Sequence, residues 1–183
     1  YCQNLIVNPD FENFRKENVQ MDYWNSSSQK VPESWTSMRT ADYFHISNVF
    51  YCDTIHPYSG TSFVGIGYDT IRAATRASSG SEYVQATLMA PLEAGTTYHL
   101  SFHVRLNPNS LENAGTISAY FSVAKVILKE QEFNLDEKGQ IIGEAKINHV
   151  LQEVPQLDFD IRSLKTDGEG WALLSGSFTA TGG

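Results

Sequence analysis

The residues able to do chemistry in this sequence are mostly rings set beside amides, imidazoles and acids. Tyr23-Trp24-Asn25 and Tyr43-Phe44-His45 form two clusters. Tyr83, Gln85, His99, Arg105 and Tyr120 fall on the polar phase of alternating segments. Flat rings can cover the C–H faces of a sugar while Asn, Gln, Asp or Arg side chains bond its hydroxyls. The candidate ligand set is therefore Trp24, Tyr43, His45, Tyr83, Gln85, His99, Arg105 and Tyr120. Tyr and His also line sheet faces at the water boundary with no ligand, because their rings are amphipathic. Trp24, among polar neighbours, is the candidate exposed anchor. Trp35 and Trp171 each follow a turn and open an inward pattern, which assigns them to the core.

Other chemistries fit less well. His99 and His103 share the polar side of one alternating run. Residues four apart in a strand are separated by roughly 13 Å, too far for one zinc ion with Zn–N bonds of about 2.0 Å. His45, His56 and His149 have no Cys or His partner in sequence. There is no Gly-x-Ser-x-Gly elbow, no His-Glu-x-x-His and no phosphate-cradling loop. Asp158 with Asp160, and Asp167 with Glu169, are short-spaced acidic pairs without the spacing of a calcium-binding EF-hand loop. A glycosidase pair is defined by a separation of about 5 to 9.5 Å in space, which sequence spacing does not fix; these carboxylates read first as surface groups. The sequence points to binding or holding, not to catalysis.

The elements that must position these residues are strands. From Tyr98 to Leu106 the alternation is clean: Tyr98, Leu100, Phe102, Val104 and Leu106 on one side, His99, Ser101, His103 and Arg105 on the other. Ile117, Ala119, Phe121 and Val123 are expected inward along 116–123, and Val84, Ala86, Leu88 and Ala90 share a face along 82–90. Further strand candidates cover 40–51, 62–68 and 171–180. Turns built on Asn8-Pro9-Asp10, Tyr58-Ser59-Gly60, Pro91 to Gly95 and Asn107-Pro108-Asn109 separate them. A short helical turn fits 11–22. The polar stretch 126–146 reads as a protruding hairpin with its tip at Asp136-Glu137-Lys138-Gly139. Short strands between turns make an all-β antiparallel sandwich or barrel. At 183 residues, with neither linker nor internal repeat, the chain reads as one domain spanning 1–183. Its closing C-terminal strand is expected beyond Gly183.

Composition narrows the partners. The net charge of −8 disfavours nucleic acid and anionic lipid surfaces. No run approaches the roughly 18 apolar residues of a membrane helix, so direct membrane insertion is not expected. The opening Asn4-Leu5-Ile6-Val7 fits either a mature secreted end or a trimmed chain, and a place outside the cytoplasm is the expectation. Cys2 and Cys52 are either one disulfide between an N-terminal and a later strand or two separate thiols.

An ordered set of motifs carries a resemblance. Asn4-Leu5-Ile6-Val7-Asn8-Pro9-Asp10-Phe11-Glu12 is followed by Pro32 to Trp35, Asp42-Tyr43-Phe44, Gly60, Val64-Gly65-Ile66 and Glu82-Tyr83-Val84-Gln85. Then come Pro91 through Tyr98 and Gly170-Trp171 before Gly176 to Ala180. This order resembles the N-terminal jelly-roll, galactose-binding-like domain of Bacteroidota envelope proteins. Such domains often precede OmpA-like or gliding-motility and type IX secretion segments, and the opening is similar to that of carbohydrate-binding modules. The resemblance covers most of the chain and is weakest over 125–165. It implies a jelly-roll sandwich, an envelope or surface location, and a glycan or an envelope protein as partner. It also implies a structural calcium at the opening turn, with Asp10 and Glu12 as ligands, since hard carboxylate oxygens suit that ion. Asp53-Thr54-Ile55 and Asp69-Thr70-Ile71 resemble Bacteroidota O-glycosylation sites, which would put sugars on Thr54 and Thr70.

Overall fold

A computed structural model describes residues 3–16, 30–37, 41–46, 55–69, 80–107, 115–127 and 153–181. Among them the chain is all-β, with every strand pair antiparallel. The strands are β1 (Phe14–Lys16), β2 (Lys30–Pro32), β3 (Trp35–Ser37), β4 (Asp42–His45), β5 (Ser62–Gly65) and β6 (Tyr68–Asp69). They continue with β7 (Gly80–Ser81), β8 (Val84–Ala86), β9 (Thr97–Arg105), β10 (Thr116–Ala119), β11 (Leu157–Asp160) and β12 (Trp171–Thr179). No helix among the described residues is long and apolar enough to cross a membrane.

The longest pair is β9 with β12, in register from Thr97 opposite Thr179 to Arg105 opposite Trp171. The alternation sets its two faces. Leu100, Phe102, Val104 and, just past the strand, Leu106 pack with Leu174 against Phe159 and Ile161. The β10–β11 pair supplies Ile117, Leu157 and Phe159 to the same cluster, and Phe102 meets Phe159 edge-on at 5.4 Å. Gly176 permits the close approach: a Cβ there would lie 3.0 Å from Leu157 Cδ2 and 3.3 Å from Phe159 Cε1. Two strand pairs packed face to face in this way make the fold sandwich-like.

A second cluster joins Val31, Ala41 and Tyr43 with Phe11, Phe14, Trp35, Val64 and Val84. It draws on the β1–β2, β3–β8 and β4–β5 pairs. Trp35 packs here, as its position after a turn implies, and its Nε1 donates to the Asn8 carbonyl at 2.9 Å. Phe44 and Phe63, opposite each other across β4 and β5, stack at 4.8 Å. Phe63 also meets Trp171 edge-on at 6.3 Å, so one aromatic contact links β5 to β12.

Several sequence expectations need correction. The 116–123 segment stops pairing after Ala119, and Val123 is 79% exposed. Beyond β10 the Gln156 side chain takes both the N–H and the carbonyl of Phe121, replacing a partner strand. The 82–90 run is a strand only over Val84–Ala86; Leu88 makes one isolated bridge to Ile6, and Met89 and Ala90 are exposed. Phe14–Lys16 is strand, not part of a helical turn, because it pairs with Lys30–Pro32. The 136–139 hairpin tip, Cys2, Cys52, Thr54, Thr70 and Trp24 lie outside the described residues.

Candidate ligand-binding face

The outer face of β9 and β12 gathers the polar phase of both strands. In register, the outward pairs are Thr97 with Thr179, His99 with Ser177, Ser101 with Ser175, His103 with Leu173, and Arg105 with Trp171. At roughly 3.4 Å per residue, the eight-residue rise makes a strip of about 27 Å. Cross-strand hydrogen bonds tie it together: His99 Nδ1 lies 3.1 Å from Ser177 Oγ, and Thr97 Oγ1 3.3 Å from Thr179 Oγ1.

At the Arg105 end the strip becomes aromatic. Tyr58 arrives from the loop before β5 and stacks on the His103 imidazole, with centroids 3.5 Å apart and planes 12° from parallel. Its ring meets Trp171 edge-on at 6.1 Å. Trp171 is 9% exposed, held on this outer side by Tyr58 and Phe63 and by a 3.1 Å bond from Nε1 to the His56 carbonyl. Burial of Trp171 therefore agrees with its assignment to packing, but on the face opposite Leu174. Tyr58 and Leu173 remain 51% and 59% exposed, leaving apolar surface beside hydroxyl, imidazole and guanidinium groups.

Two turns hold this end. Asp167 Oδ1 accepts the N–H groups of Glu169 and Trp171, both at 2.9 Å, and Gly170 adopts φ 84°. A Cβ at Gly170 would sit 3.4 Å from Arg105 Nε, so the guanidinium arm runs close over this turn. On the other side, Glu12 clasps the loop that delivers Tyr58. Its Oε1 accepts from Thr61 N at 2.7 Å and Ser62 N at 2.9 Å, and its Oε2 accepts from the Thr61 hydroxyl. Burial pushes the Glu12 pKa up, but these three bonds, with the field of His45, outweigh it and leave it below the ordinary value.

This clasp decides how the opening motif reads. Asn8 is buried, donating to the carbonyls of Asn13 and Glu33 and accepting from Asn13 N–H. Asp10 is exposed, and its Oδ1 lies 3.4 Å from Glu12 N. As arranged, the Glu12 carboxylate is occupied by the Thr61 and Ser62 donors, and the Asp10 carboxylate faces the Glu12 N–H. Among the described residues no cluster of three or more His, Cys, Asp or Glu side chains is placed to hold a metal.

The candidate ligand residues are dispersed over the fold. Tyr43 is in the core at 2% exposure, a correction to its place as a ligand contact. Its hydroxyl is shared between the Phe11 carbonyl at 3.0 Å and Ser62 Oγ at 2.9 Å. His45 is half-buried against the Phe14 ring at 5.6 Å; burial and Lys30 lower its pKa, against the pull of Glu12. Gln85 is committed to the backbone of Val126 through both its amide oxygen and nitrogen. Tyr83 precedes β8, and Tyr120 follows β10. Those strands pair with β3 and β11, so the two tyrosines do not extend the β9–β12 strip by strand pairing. Among the described residues of the set, His99 and Arg105 alone share this outer face. His103 and Trp171 could have been added from the same alternation. Tyr58 could not, because a loop residue carries no periodic signal. Comparison with protein-family models, curated proteins and solved structures gave no match.

Proposed function

We propose that this chain is a non-catalytic binding module that takes carbohydrate on the outer face of β9 and β12. The observation that carries this reading is the half-exposed Tyr58 ring, held rigidly on His103 beside Leu173 and in line with a row of hydroxyls. A prepaid stack costs little ordering on binding, which is how rigid aromatic anchors raise affinity. The motif order of the sequence supports a jelly-roll, galactose-binding-like sandwich and a place outside the cytoplasm, at the bacterial envelope or surface. Affinity electrophoresis against a panel of soluble polysaccharides tests it. At least one should retard the protein, and Tyr58→Ala should weaken that binding about tenfold, equivalent to about 1.4 kcal/mol. Unchanged mobility on every polysaccharide would sink the reading.

A second reading, an assembly or adhesion domain docking on an envelope protein, draws on a different surface. Val123, Ile127 and Val154 are 79%, 79% and 83% exposed, and Gln156 ties the 121–127 stretch to the 153–156 stretch. Exposed apolar residues on these two stretches suit protein contact. Val123→Ser with Val154→Ser would then abolish recovery of an envelope partner while leaving polysaccharide binding intact.

A further inference from the structure

The strip carries a charge pattern that the chain as a whole does not. The sequence has 21 acidic against 13 basic residues. Yet the ten outward positions of β9 and β12 hold no carboxylate. Their ionisable groups are His99, His103 and Arg105, all on β9, and the remaining polar groups are the hydroxyls of Thr97, Ser101, Ser175, Ser177 and Thr179. At the adjoining turn, Asp167 spends its Oδ1 on two backbone N–H groups, and Asp167 and Glu169 are both exposed there, outside the ten strip positions. The strip is rich in donors and short of pure acceptors. Arg105 is half-buried and already has a partner within the protein; its guanidinium carries five N–H donors.

Resting on the carbohydrate reading above, we infer that the ligand is an anionic polysaccharide, its acidic group set at Arg105 and its ring on Tyr58. A planar guanidinium matches the two oxygens of a carboxylate or sulfate, and charge-assisted bonds are roughly twice as strong as neutral ones. Acid groups on a neutral-sugar site would accept sugar hydroxyl protons; here no strip position carries such an acid, and Arg105 supplies donors alone. The absence of carboxylates also means that a polyanion meets no like charge along the strip itself.

A matched pair of polymers isolates the charge. Polygalacturonate and its fully methyl-esterified form share the sugar backbone and differ in the carboxylate, and dextran sulfate against dextran does the same for sulfate. The protein should bind a charged member at least tenfold tighter than its neutral partner. Arg105→Gln should shrink that ratio to within threefold. Because Arg105 lies against the Gly170 turn, Ser175→Asp provides a second variant at an exposed mid-strip position. It should fold normally and lose tenfold or more on the charged polymer alone. Preference for polygalacturonate would identify a carboxylate-bearing ligand, and preference for dextran sulfate a sulfated one. Equal binding to charged and neutral partners, or no effect of Ser175→Asp, would overturn the anionic class while leaving carbohydrate binding in place. Failure to bind any of the four, together with no retardation on the wider panel, would overturn both.

Discussion

At the scale of single residues, the decisive fact about Tyr43 is that its hydroxyl has one proton and two neighbours. A carbonyl only accepts, so the phenol donates to the Phe11 carbonyl and accepts from the Ser62 hydroxyl. Burial raises its pKa, and it stays neutral in any ordinary buffer. Ser62 is itself buried, so its hydroxyl cannot turn to water. Tyr43→Phe would take a partner from that buried hydroxyl and from the half-buried Phe11 carbonyl while keeping the ring. The expected loss is about 1–3 kcal/mol, read as a lower urea midpoint with unchanged slope, and no change in polysaccharide affinity. A fall in affinity at full stability would instead make Tyr43 a ligand residue, as its sequence neighbourhood suggests. That neighbourhood misleads because Tyr43-Phe44-His45 is a strand. Its members face alternate sides, Tyr43 into one core and Phe44 onto Phe63, so adjacency in sequence is not adjacency in space.

At the scale of elements, the β9–β12 pair was legible because two long runs alternate without interruption and the turn at Pro91–Gly95 fixes where one begins. Gly95 adopts φ 78° there, and its N–H bonds the Ala180 carbonyl just past β12. The loop that completes the site was not legible. It depends on a carboxylate 49 residues away in the chain, and no period or motif links Glu12 to Thr61. Gly60 shows how tightly the two fit. It adopts φ 66°, and a Cβ added there would lie 2.5 Å from Glu12 Oε1, an oxygen already held by two N–H groups. Gly60→Ala would therefore cost about 1–2 kcal/mol from the left-handed backbone, plus the displacement of the clasp. Tyr58, two residues upstream, would lose its seat on His103. The expected outcome is a melting temperature lower by several degrees and a polysaccharide affinity reduced as far as in Tyr58→Ala. Stability lost with affinity intact would show that the clasp does not position the ring.

At the scale of the whole molecule, Phe63 on β5 meets Trp171 on β12 outside both apolar clusters, and the Glu12 clasp stitches the N-terminal segment to the strand that carries Phe63. The stability of the chain should thus depend on pH through this carboxylate. The folded-state pKa of Glu12 lies below its ordinary value, so the charged form is favoured by folding. Its contribution is fully present above the unfolded carboxylate range, about 4.3, and is lost as pH falls through the lower folded value. Asp160, exposed and held by Arg162 at 2.6 Å, is lowered to about 2, but it is the same in wild type and in a Glu12 variant and so cancels from the difference between them. Glu12→Gln keeps the side-chain shape but weakens the bonds from Thr61 and Ser62. Wild type should then melt higher than Glu12→Gln at pH 7, and the gap should close on acidification from pH 5 to pH 3, as the wild-type carboxyl gains its proton. Parallel curves over that range, with the same gap at both ends, would mean that the charge on Glu12 contributes nothing and that its hold on the Tyr58 loop is steric.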